Sequence, residues 1–153
     1  MDDSQLKLIN QICFPIYSTS RLITKAYKPF LDKMGLTYPQ YLVLMVLWEN
    51  DEQTVTKITE RLMLNTNTLS PLLKRMEKME LLNRERSTKD ERSVMVKLTK
   101  KGKELKSEAR PIPEKFLSAL LNENVELSDV LQLKEMLNEW IRILSSKTQE
   151  TKS

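Results

Sequence analysis

The sequence contains no histidine, a single cysteine and two glycines among its 153 residues. Without histidine there is no imidazole for a Ser-His or Cys-His relay, and lone Cys13 can form neither an internal disulfide nor a thiolate zinc site of the usual kind. Gly35 and Gly102 lie far apart, so the glycine clusters of the dinucleotide fingerprint and the P-loop are missing as well. We therefore expect no metal, no cofactor and no enzymatic activity.

Long apolar runs are also scarce. The longest, Tyr41 to Trp48, is too short to span a bilayer, and the acidic start Met1-Asp2-Asp3-Ser4 lacks the basic and apolar segments of a secretory signal. The hydrophobic fraction of 40% suffices for a buried core in a single domain, residues 1–153. We expect a cytoplasmic protein without membrane contact, in which the cysteine remains a free thiol.

The positive charge is concentrated in the middle of the chain. Residues 70–103 hold eleven basic and five acidic residues, a net charge of +6, whereas residues 1–69 are neutral and residues 104–153 carry −2. The net charge of +4 for the whole chain therefore comes from one segment. Such a basic patch is typical of a phosphate-binding surface, although a solvated helical face gives the same pattern.

The first 34 residues carry an apolar stripe with heptad spacing. An apolar residue recurs every seven positions, at Ile9, Ile16, Ile23 and Phe30. This spacing predicts a long helix over residues 4–34, part of which packs against a second copy of the chain. Because Pro15 has no amide N–H to donate, the helix is predicted either to kink near Cys13 or to begin afresh there.

Three helix starts follow. Thr37 and Gln40 form a capping box ahead of an apolar run, which predicts a central buried helix. Thr54 and Asn65 are suitable N-caps for two shorter amphipathic helices. The second of these has one apolar stripe, formed by Leu69, Leu72, Leu73, Met76 and Met79.

After these helices the period changes from helix to strand. Arg84 and Arg86 lie on one short predicted strand, residues 87–92 form a polar turn, and apolar residues alternate over residues 94–98. Two short helices followed by a basic hairpin give the order of a winged helix-turn-helix. The expected fold class is therefore mainly α with a small β-hairpin wing.

The outward face of the second short helix has the composition of a recognition helix. Asn67, Ser70, Lys74 and Arg75 share this face. Asn and Arg can pair with base edges, whereas Ser and Lys mostly contact phosphates. Arg92, at the tip of the hairpin, is a candidate for the minor groove. We expect double-stranded DNA as a partner.

The capping residues and apolar stripes of the C-terminal third predict further helices. Thr99 can cap a helix that runs to about Ala109, and Pro111 and Pro113 interrupt it. Ser128 is predicted to open a last helix with an apolar stripe.

Several of these segments resemble the MarR family of bacterial transcription regulators. Residues 90–99 are similar to the family's D-x-R-x-x-x-V-x-L-T wing signature, and residues 69–77 are similar to its recognition helix. The surroundings of Cys13, together with Tyr17, Tyr27 and residues 36–41, resemble the organic-hydroperoxide-sensing OhrR-type branch. The recognition helix opens with Asn65-Thr66-Asn67-Thr68 where the branch usually has Asp-Ser-Gly-Thr, and Pro15 also departs from the branch pattern.

The resemblance implies a dimeric winged helix-turn-helix repressor on a palindromic operator. Residues 1–34 and 105–147 would form the dimer body of the homodimer, and residues 37–103 the DNA-binding part. The residues expected at the DNA are Asn65, Thr66, Asn67, Thr68, Ser70, Pro71, Lys74, Arg75, Lys89, Asp90 and Arg92. Within the wing, the resemblance implies that Asp90 orients basic side chains.

The resemblance also implies a redox sensor. Cys13 would be the thiol that organic hydroperoxides oxidise, with Tyr17 beside it and with Tyr27 and Tyr38 reaching across from the partner subunit. Since the chain has no second cysteine, reversal of a sulfenic acid would need a low-molecular-weight thiol, whose mixed disulfide with Cys13 would release the operator.

Three alternatives stay open at the level of sequence. The first is a MarR-type regulator released by a small aromatic acid that binds between the dimer body and the winged helix. The second is a one-cysteine thiol peroxidase, for which Arg21 is the only arginine near Cys13 in sequence. The third is a purely structural helical dimer, which leaves the basic hairpin unexplained.

Overall fold

The computed structural model describes residues 3–88, 90 and 92–150. It contains seven α-helices and three β-strands within this part of the chain. The helices are α1 Cys13–Lys33, α2 Tyr38–Glu49, α3 Val55–Leu62, α4 Thr66–Lys78, α5 Lys100–Ala109, α6 Ile112–Leu120 and α7 Leu127–Glu150. The strands are β1 Gln53–Thr54, β2 Leu82–Arg86 and β3 Val94–Leu98. The chain divides between Ile112 and Pro113 into two compact units.

Helix α1 is shorter than the spacing predicted. The expected helix over residues 4–34 is wrong for its first nine residues, because two short 3-10 turns, Asp3–Leu6 and Leu8–Asn10, occupy that stretch. The α-helix begins afresh at Cys13, one of the two outcomes that Pro15 allowed. As the third residue of the helix, Pro15 lies where backbone N–H groups have no intrahelical partner, so its missing donor removes no hydrogen bond.

The capping box before α2 is present as predicted. The Gln40 side chain accepts a hydrogen bond from the Thr37 backbone N–H at 2.8 Å, and Thr37 Oγ1 accepts one from the Gln40 N–H at 3.5 Å. Gly35 ends the preceding turn with φ +67°, a conformation that glycine adopts without a Cβ clash. Within α2, Val43, Leu44 and Leu47 are buried, which confirms the expected central helix.

The helix-turn-helix is formed by α3 and α4. Thr54 and Asn65 are the N-caps, and each side chain accepts a hydrogen bond from a backbone N–H three residues later. Met63 ends α3 in the left-handed region, with φ 54°. Helix α4 buries the inner stripe Leu69, Leu72, Leu73 and Met76. This burial leaves its opposite face to solvent.

The wing is a three-stranded antiparallel sheet in the order β1-β3-β2. Strands β2 and β3 pair from Leu82↔Leu98 to Arg86↔Val94, as the alternation predicted. Strand β1 adds a third, unpredicted member, in which Gln53 pairs with Val96. A strand of two residues is too short to show an alternating pattern.

The carboxylate of Asp51 fixes the base of the wing. Its Oδ1 accepts hydrogen bonds from the backbone N–H groups of Leu98 and Glu52, each at 2.9 Å, and Oδ2 lies 3.3 Å from Lys103 Nζ. Partial burial alone would raise the pKa of Asp51, but these donors lower it below its ordinary value. One carboxylate thus connects β3 to the first turn of α5.

The second unit contains most of α6 and all of α7. Pro111 and Pro113 were expected only to interrupt a helix; instead α6 starts at Ile112 and carries Pro113 in its first turn, where proline is tolerated. Helix α7 begins at Leu127, one residue before the predicted start. Its exposed large apolar residues are Leu127, Leu131, Leu133, Met136, Trp140, Ile141, Ile143 and Leu144. None of the helices in the described residues has the length and apolar character needed to cross a membrane.

Helix α5 lies unusually close to the loop before β2. A Cβ built on Gly102 would lie 2.1 Å from the backbone oxygen of Leu81. The Gly102 carbonyl also accepts a 2.8 Å hydrogen bond from Trp48 Nε1 on α2. A residue without a side chain is therefore required where α5 packs against the wing base and α2.

We predict that Gly102→Ala destabilises the protein by about 3 kcal/mol, because the added methyl group forces α5 away from a backbone atom. Urea unfolding monitored by circular dichroism measures the change. Ser107→Ala, on the exposed face of the same helix, serves as the control and should leave the midpoint nearly unchanged. Equal stability of Gly102→Ala and the control would contradict the close approach.

Candidate nucleic-acid interface and thiol site

The first turn of α4 presents polar side chains to solvent. Asn65 Oδ1 accepts hydrogen bonds from both the backbone N–H (2.9 Å) and the hydroxyl (2.8 Å) of Thr68. Between them Thr66 and Asn67 are exposed. The cap thus fixes the start of the helix while the Asn67 carboxamide projects from an ordered backbone. An exposed amide at this position can donate to and accept from a base edge.

The remainder of the outer face is basic. Pro71, Lys74 and Arg75 are exposed and Ser70 is half-buried. Pro71 lies inside the helix and has no N–H for the carbonyl of Asn67, one turn earlier. All the predicted recognition-helix residues therefore lie on α4 or at its N-cap, opposite the buried stripe.

A carboxylate connects this helix to the wing. Both oxygens of Glu77 on α4 accept from Arg84 on β2: Oε1 from the Arg84 backbone N–H at 3.0 Å, and Oε2 from Nε at 3.1 Å and Nη2 at 2.7 Å. The Arg84 hydrogen bonds lower the pKa of Glu77 below its ordinary value. Arg84 therefore helps to position the wing. Sequence reasoning missed Glu77, since no spacing rule connects a helix residue to a strand seven positions later.

The tip of the wing is held by Asp90. Its Oδ1 accepts from the Arg92 backbone N–H at 3.0 Å and its Oδ2 from the Ser93 hydroxyl at 2.8 Å, while Ser87 Oγ accepts from the Asp90 N–H at 3.3 Å. These contacts shape the turn through its backbone and leave the Arg92 side chain exposed. Lys89, also expected at the DNA, lies outside the described residues.

Cys13 is exposed at the first position of α1. The backbone N–H of Phe14, in the first helical turn, donates to the Gln11 carbonyl at 3.3 Å. Tyr17 lies one turn further on, and its hydroxyl accepts a 3.4 Å hydrogen bond from Arg21 Nη1. The Arg21 guanidinium carbon also lies 5.6 Å from the centre of the Tyr17 ring.

Tyr27 and Tyr38 belong to an aromatic cluster with Tyr41 and Trp48. The ring centres of Tyr27 and Tyr38 are 5.1 Å apart, and those of Tyr41 and Trp48 are 6.1 Å apart. Burial, with added repulsion from Tyr38 and Tyr41, raises the pKa of Tyr27 to about 12. Burial also raises the pKa of Tyr38. Both phenols therefore remain protonated hydrogen-bond donors at neutral pH.

The fold of one chain does not join the two halves of the predicted thiol site. Cys13 and Tyr27 are fourteen residues apart on the same helix, α1, a separation of about 21 Å along the helix axis. Tyr17 shares the end of α1 with Cys13, whereas Tyr27 and Tyr38 lie at the opposite end. The described residues contain no group of metal-ligating side chains that could hold an ion.

A basic groove runs along α1 beside the start of α2. It has a volume of about 390 Å³, and Arg21, Lys25, Lys28, Asp32 and Tyr38 contribute to its lining. A recess of about 470 Å³ adjoins it, sharing Arg21 and Lys25 with the groove. The cations stand at intervals of four and three residues, so the helical period in the sequence already places them on one face.

Helix-turn-helix, wing and basic outer face define a winged helix-turn-helix protein. The sequence pattern of the transcriptional regulator SarA/Rot family matches residues 25–109. The organic hydroperoxide resistance transcriptional regulator of Bacillus subtilis (strain 168) is 48% identical over 142 residues, covering 93% of this chain and 95% of that protein. The HTH-type transcriptional regulator MgrA of Staphylococcus aureus is 38% identical, covering 90% and 92%.

Solved structures of AbfR also align with this chain. Reduced AbfR bound to DNA aligns with a TM-score of 0.78 at 34% identity, covering 95% of this chain and 98% of AbfR, a protein of Staphylococcus epidermidis. AbfR has also been solved overoxidised and bound to DNA, and in a disulfide form. The chain belongs to the MarR family of transcription regulators, in the organic-hydroperoxide-responsive branch that its sequence resembles.

We predict that Glu77→Gln weakens operator binding about threefold to fivefold, because a wing held less firmly to α4 loses part of its contact with the DNA groove. A fivefold loss corresponds to about 1 kcal/mol. Glu80→Gln, which removes the same charge from an exposed neighbouring residue, is the control.

Because the pKa of Glu77 is lowered, the contribution of its carboxylate to stability is complete above the ordinary value of 4.5 and is lost as pH falls through the folded value. Thermal unfolding from pH 6 to pH 3 should therefore show a smaller loss for Glu77→Gln than for the wild type.

Arg92→Ala should weaken binding to every duplex tested and reduce the slope of log affinity against log salt by about one, because a single cation is removed from the phosphate-rich groove. Fluorescence anisotropy at several salt concentrations measures both quantities. Arg110→Ala, outside the wing, is the matched control. An unchanged affinity and slope for Arg92→Ala would exclude the wing tip from the interface.

Proposed function

We propose that the protein is a homodimeric, redox-responsive transcription repressor. It binds a palindromic operator through α4 and the wing, and it releases DNA when an organic hydroperoxide oxidises Cys13 and a small thiol converts the product to a mixed disulfide. The observation that carries the proposal is an exposed single thiol at the start of α1 in a chain 48% identical to an organic hydroperoxide resistance regulator.

The DNA-binding half of the proposal rests on exposed charge held in an ordered frame. The outer face of α4 and the wing tip supply cations and amides, and the carboxylates of Glu77 and Asp51 fix the sheet that carries them. The proposed contact residues are Asn65, Thr66, Asn67, Thr68, Ser70, Pro71, Lys74, Arg75, Lys89, Asp90 and Arg92. Reduced AbfR, 34% identical, was solved on DNA.

The proposal of a dimer rests on the apolar surface that each unit exposes. In the first unit, Ile9, Ile12 and Leu22 are more than half exposed. In the second, α7 exposes the apolar residues given above over most of its length. Patches of this kind are stable in water when a second molecule covers them. We assign residues 1–34 and 105–147 to the dimer body and residues 37–103 to the DNA-binding part of a single functional domain.

The dimer also explains the divided thiol site. Tyr27 and Tyr38 lie too far along the chain's own α1 and α2 to meet its Cys13, but they can meet the thiol of the partner subunit. Their raised pKa values keep both phenols protonated, so that they donate hydrogen bonds to a thiolate or to the peroxide oxygen. Tyr17 contributes from the same helix as Cys13.

The chemistry has two steps. The Cys13 thiolate attacks the hydroperoxide, the O–O bond breaks, and the sulfur becomes a sulfenic acid while the hydroperoxide is reduced to an alcohol. A low-molecular-weight thiol then attacks the sulfenic acid, which forms an S–S bond and releases water. Since the chain has one cysteine, this disulfide joins it to a second molecule. The reaction is stoichiometric, so the protein acts as a regulator and not as an enzyme. We place it in the cytoplasm, where small thiols keep a free cysteine reduced.

The basic groove favours a second candidate function. Three cations beside Tyr38 suit a small aromatic acid, whose carboxylate would pair with Arg21 or Lys25 while its ring lies against apolar lining. In this alternative the acid, and not oxidation, releases the operator.

Cys13→Ser separates the two functions. The variant should bind operator like the wild type and remain bound after cumene hydroperoxide and a small thiol, because it lacks the oxidisable sulfur. Anisotropy with both proteins, each titrated with hydroperoxide and separately with salicylate, gives the result. Release of the variant by hydroperoxide would overturn the redox mechanism, and release of both proteins by salicylate alone would establish the second candidate.

A further inference from the structure

We propose that Gln40 couples the redox site to the recognition helix, through a hydrogen bond from its side-chain amide to the sulfur of Met79. Gln40 Nε2 lies 3.5 Å from Met79 Sδ, and the two residues are 39 positions apart in the chain. The inference rests on the proposed function, because it assigns the contact through which an adduct on Cys13 weakens DNA binding. Oxidation of the thiol itself does not require this contact.

The carboxamide of Gln40 is held at both ends. Its Oε1 accepts a 2.8 Å hydrogen bond from the Thr37 backbone N–H in the capping box, while its Nε2 donates to the sulfur of Met79. The Gln40 side chain is only 4% exposed. A planar amide that is buried and bonded through both its oxygen and its nitrogen has little freedom to rotate. Movement of the first turn of α2 therefore also moves the donor that contacts Met79.

The same turn of α2 carries a phenol of the proposed thiol site. Tyr38 is the first residue of α2, two positions before Gln40. Its ring centre lies 5.1 Å from that of Tyr27 and 6.4 Å from that of Tyr41, and Tyr41 is 2% exposed. In the proposed dimer, a small thiol added to the partner subunit's cysteine occupies space next to Tyr38. Because a close-packed core gives the Tyr38 ring no room to move inward, the adduct displaces the first turn of α2.

Met79 lies where the recognition helix ends and the wing begins. It is the C-cap of α4, and its carbonyl accepts a 2.8 Å hydrogen bond from Lys101 Nζ on α5. Glu80 follows in the left-handed region with φ 60°, and β2 starts at Leu82. A shift of Met79 therefore reaches both elements that are proposed to contact DNA.

The contact should carry part of the coupling between the two sites. One hydrogen bond of ordinary net strength changes an equilibrium constant about fivefold. Coupling is measured by how much modification of one site changes the affinity at the other. Removal of the acceptor on Met79 should therefore reduce the effect of the Cys13 adduct on DNA affinity by about this factor.

The test compares operator affinity before and after modification of Cys13. The full-length protein is treated with one equivalent of cumene hydroperoxide and then with glutathione, and mass spectrometry verifies one adduct on each chain. Fluorescence anisotropy gives the dissociation constants of the reduced and modified forms for the same operator duplex. We expect Met79→Leu, which keeps the apolar packing and removes the acceptor, to bind like the wild type when reduced. Its ratio of modified to reduced dissociation constants should be about fivefold smaller than that of the wild type.

Two further variants separate the hydrogen bond from packing. Met79→Gln restores an acceptor on a side chain of similar length, so its ratio should return to the wild-type value. Met45→Leu makes the same exchange at a half-buried methionine of α2 whose sulfur accepts no hydrogen bond from the described residues, and it should keep the wild-type ratio. An unchanged ratio in Met79→Leu, or an equal fall in Met45→Leu, would overturn the inference while leaving the sensor intact. Equal affinities of the reduced and modified wild type would instead contradict the proposed function.

Discussion

The need to bury helix α2 on every side organises the first unit. Its side chains are apolar around the whole circumference, so the helix is stable in water only when other elements surround it. Helices α1, α3, α4 and α5 all pack against it, and Val43, Leu44 and Leu47 lose almost all their exposure. Once this core has formed, the inner stripe of α4 has one place to dock. The polar outer face of the recognition helix is then oriented as a consequence of burial, without any contribution from a ligand.

Acidic side chains hold the backbone of the wing, which lies in the basic part of the chain. Glu77 and Asp51 bind strands β2 and β3, and Asp90 binds the backbone of the wing tip. In each case the carboxylate accepts a hydrogen bond from a backbone N–H group, that of Arg84 on β2, of Leu98 on β3 and of Arg92 in the turn between these strands. The net charge of +6 in residues 70–103 therefore does not show that its acidic and basic residues have different roles. Carboxylates hold the frame, and most of the cations remain available at its surface.

Local signals in the sequence were sufficient for much of this fold. The capping side chains of Thr37, Thr54, Asn65 and Thr99 mark four helix starts correctly, because a cap depends only on residues within one turn. The true start of α1, strand β1 and helix α6 depend on tertiary packing or on tolerance of proline in a first turn, which heptad spacing does not report. The Glu77–Arg84 contact joins two elements and has no local signature. For the thiol site, the tyrosines could be named from the sequence, but their separation from Cys13 in one chain became visible only in three dimensions.

Three turns of the described chain place a residue other than glycine in the left-handed region: Glu52 before β1, Met63 between α3 and α4, and Glu80 between α4 and β2. Each costs on the order of 1 kcal/mol in backbone strain. Side-chain-bearing residues at these turns also restrict the unfolded chain more than glycine would, which lowers the conformational entropy lost on folding. All three flank the recognition helix or the wing. Strained turns without glycine therefore connect α3, α4 and the wing. In a chain with two glycines, these turns restrict the backbone around the DNA-binding elements at a cost in the stability of the folded state.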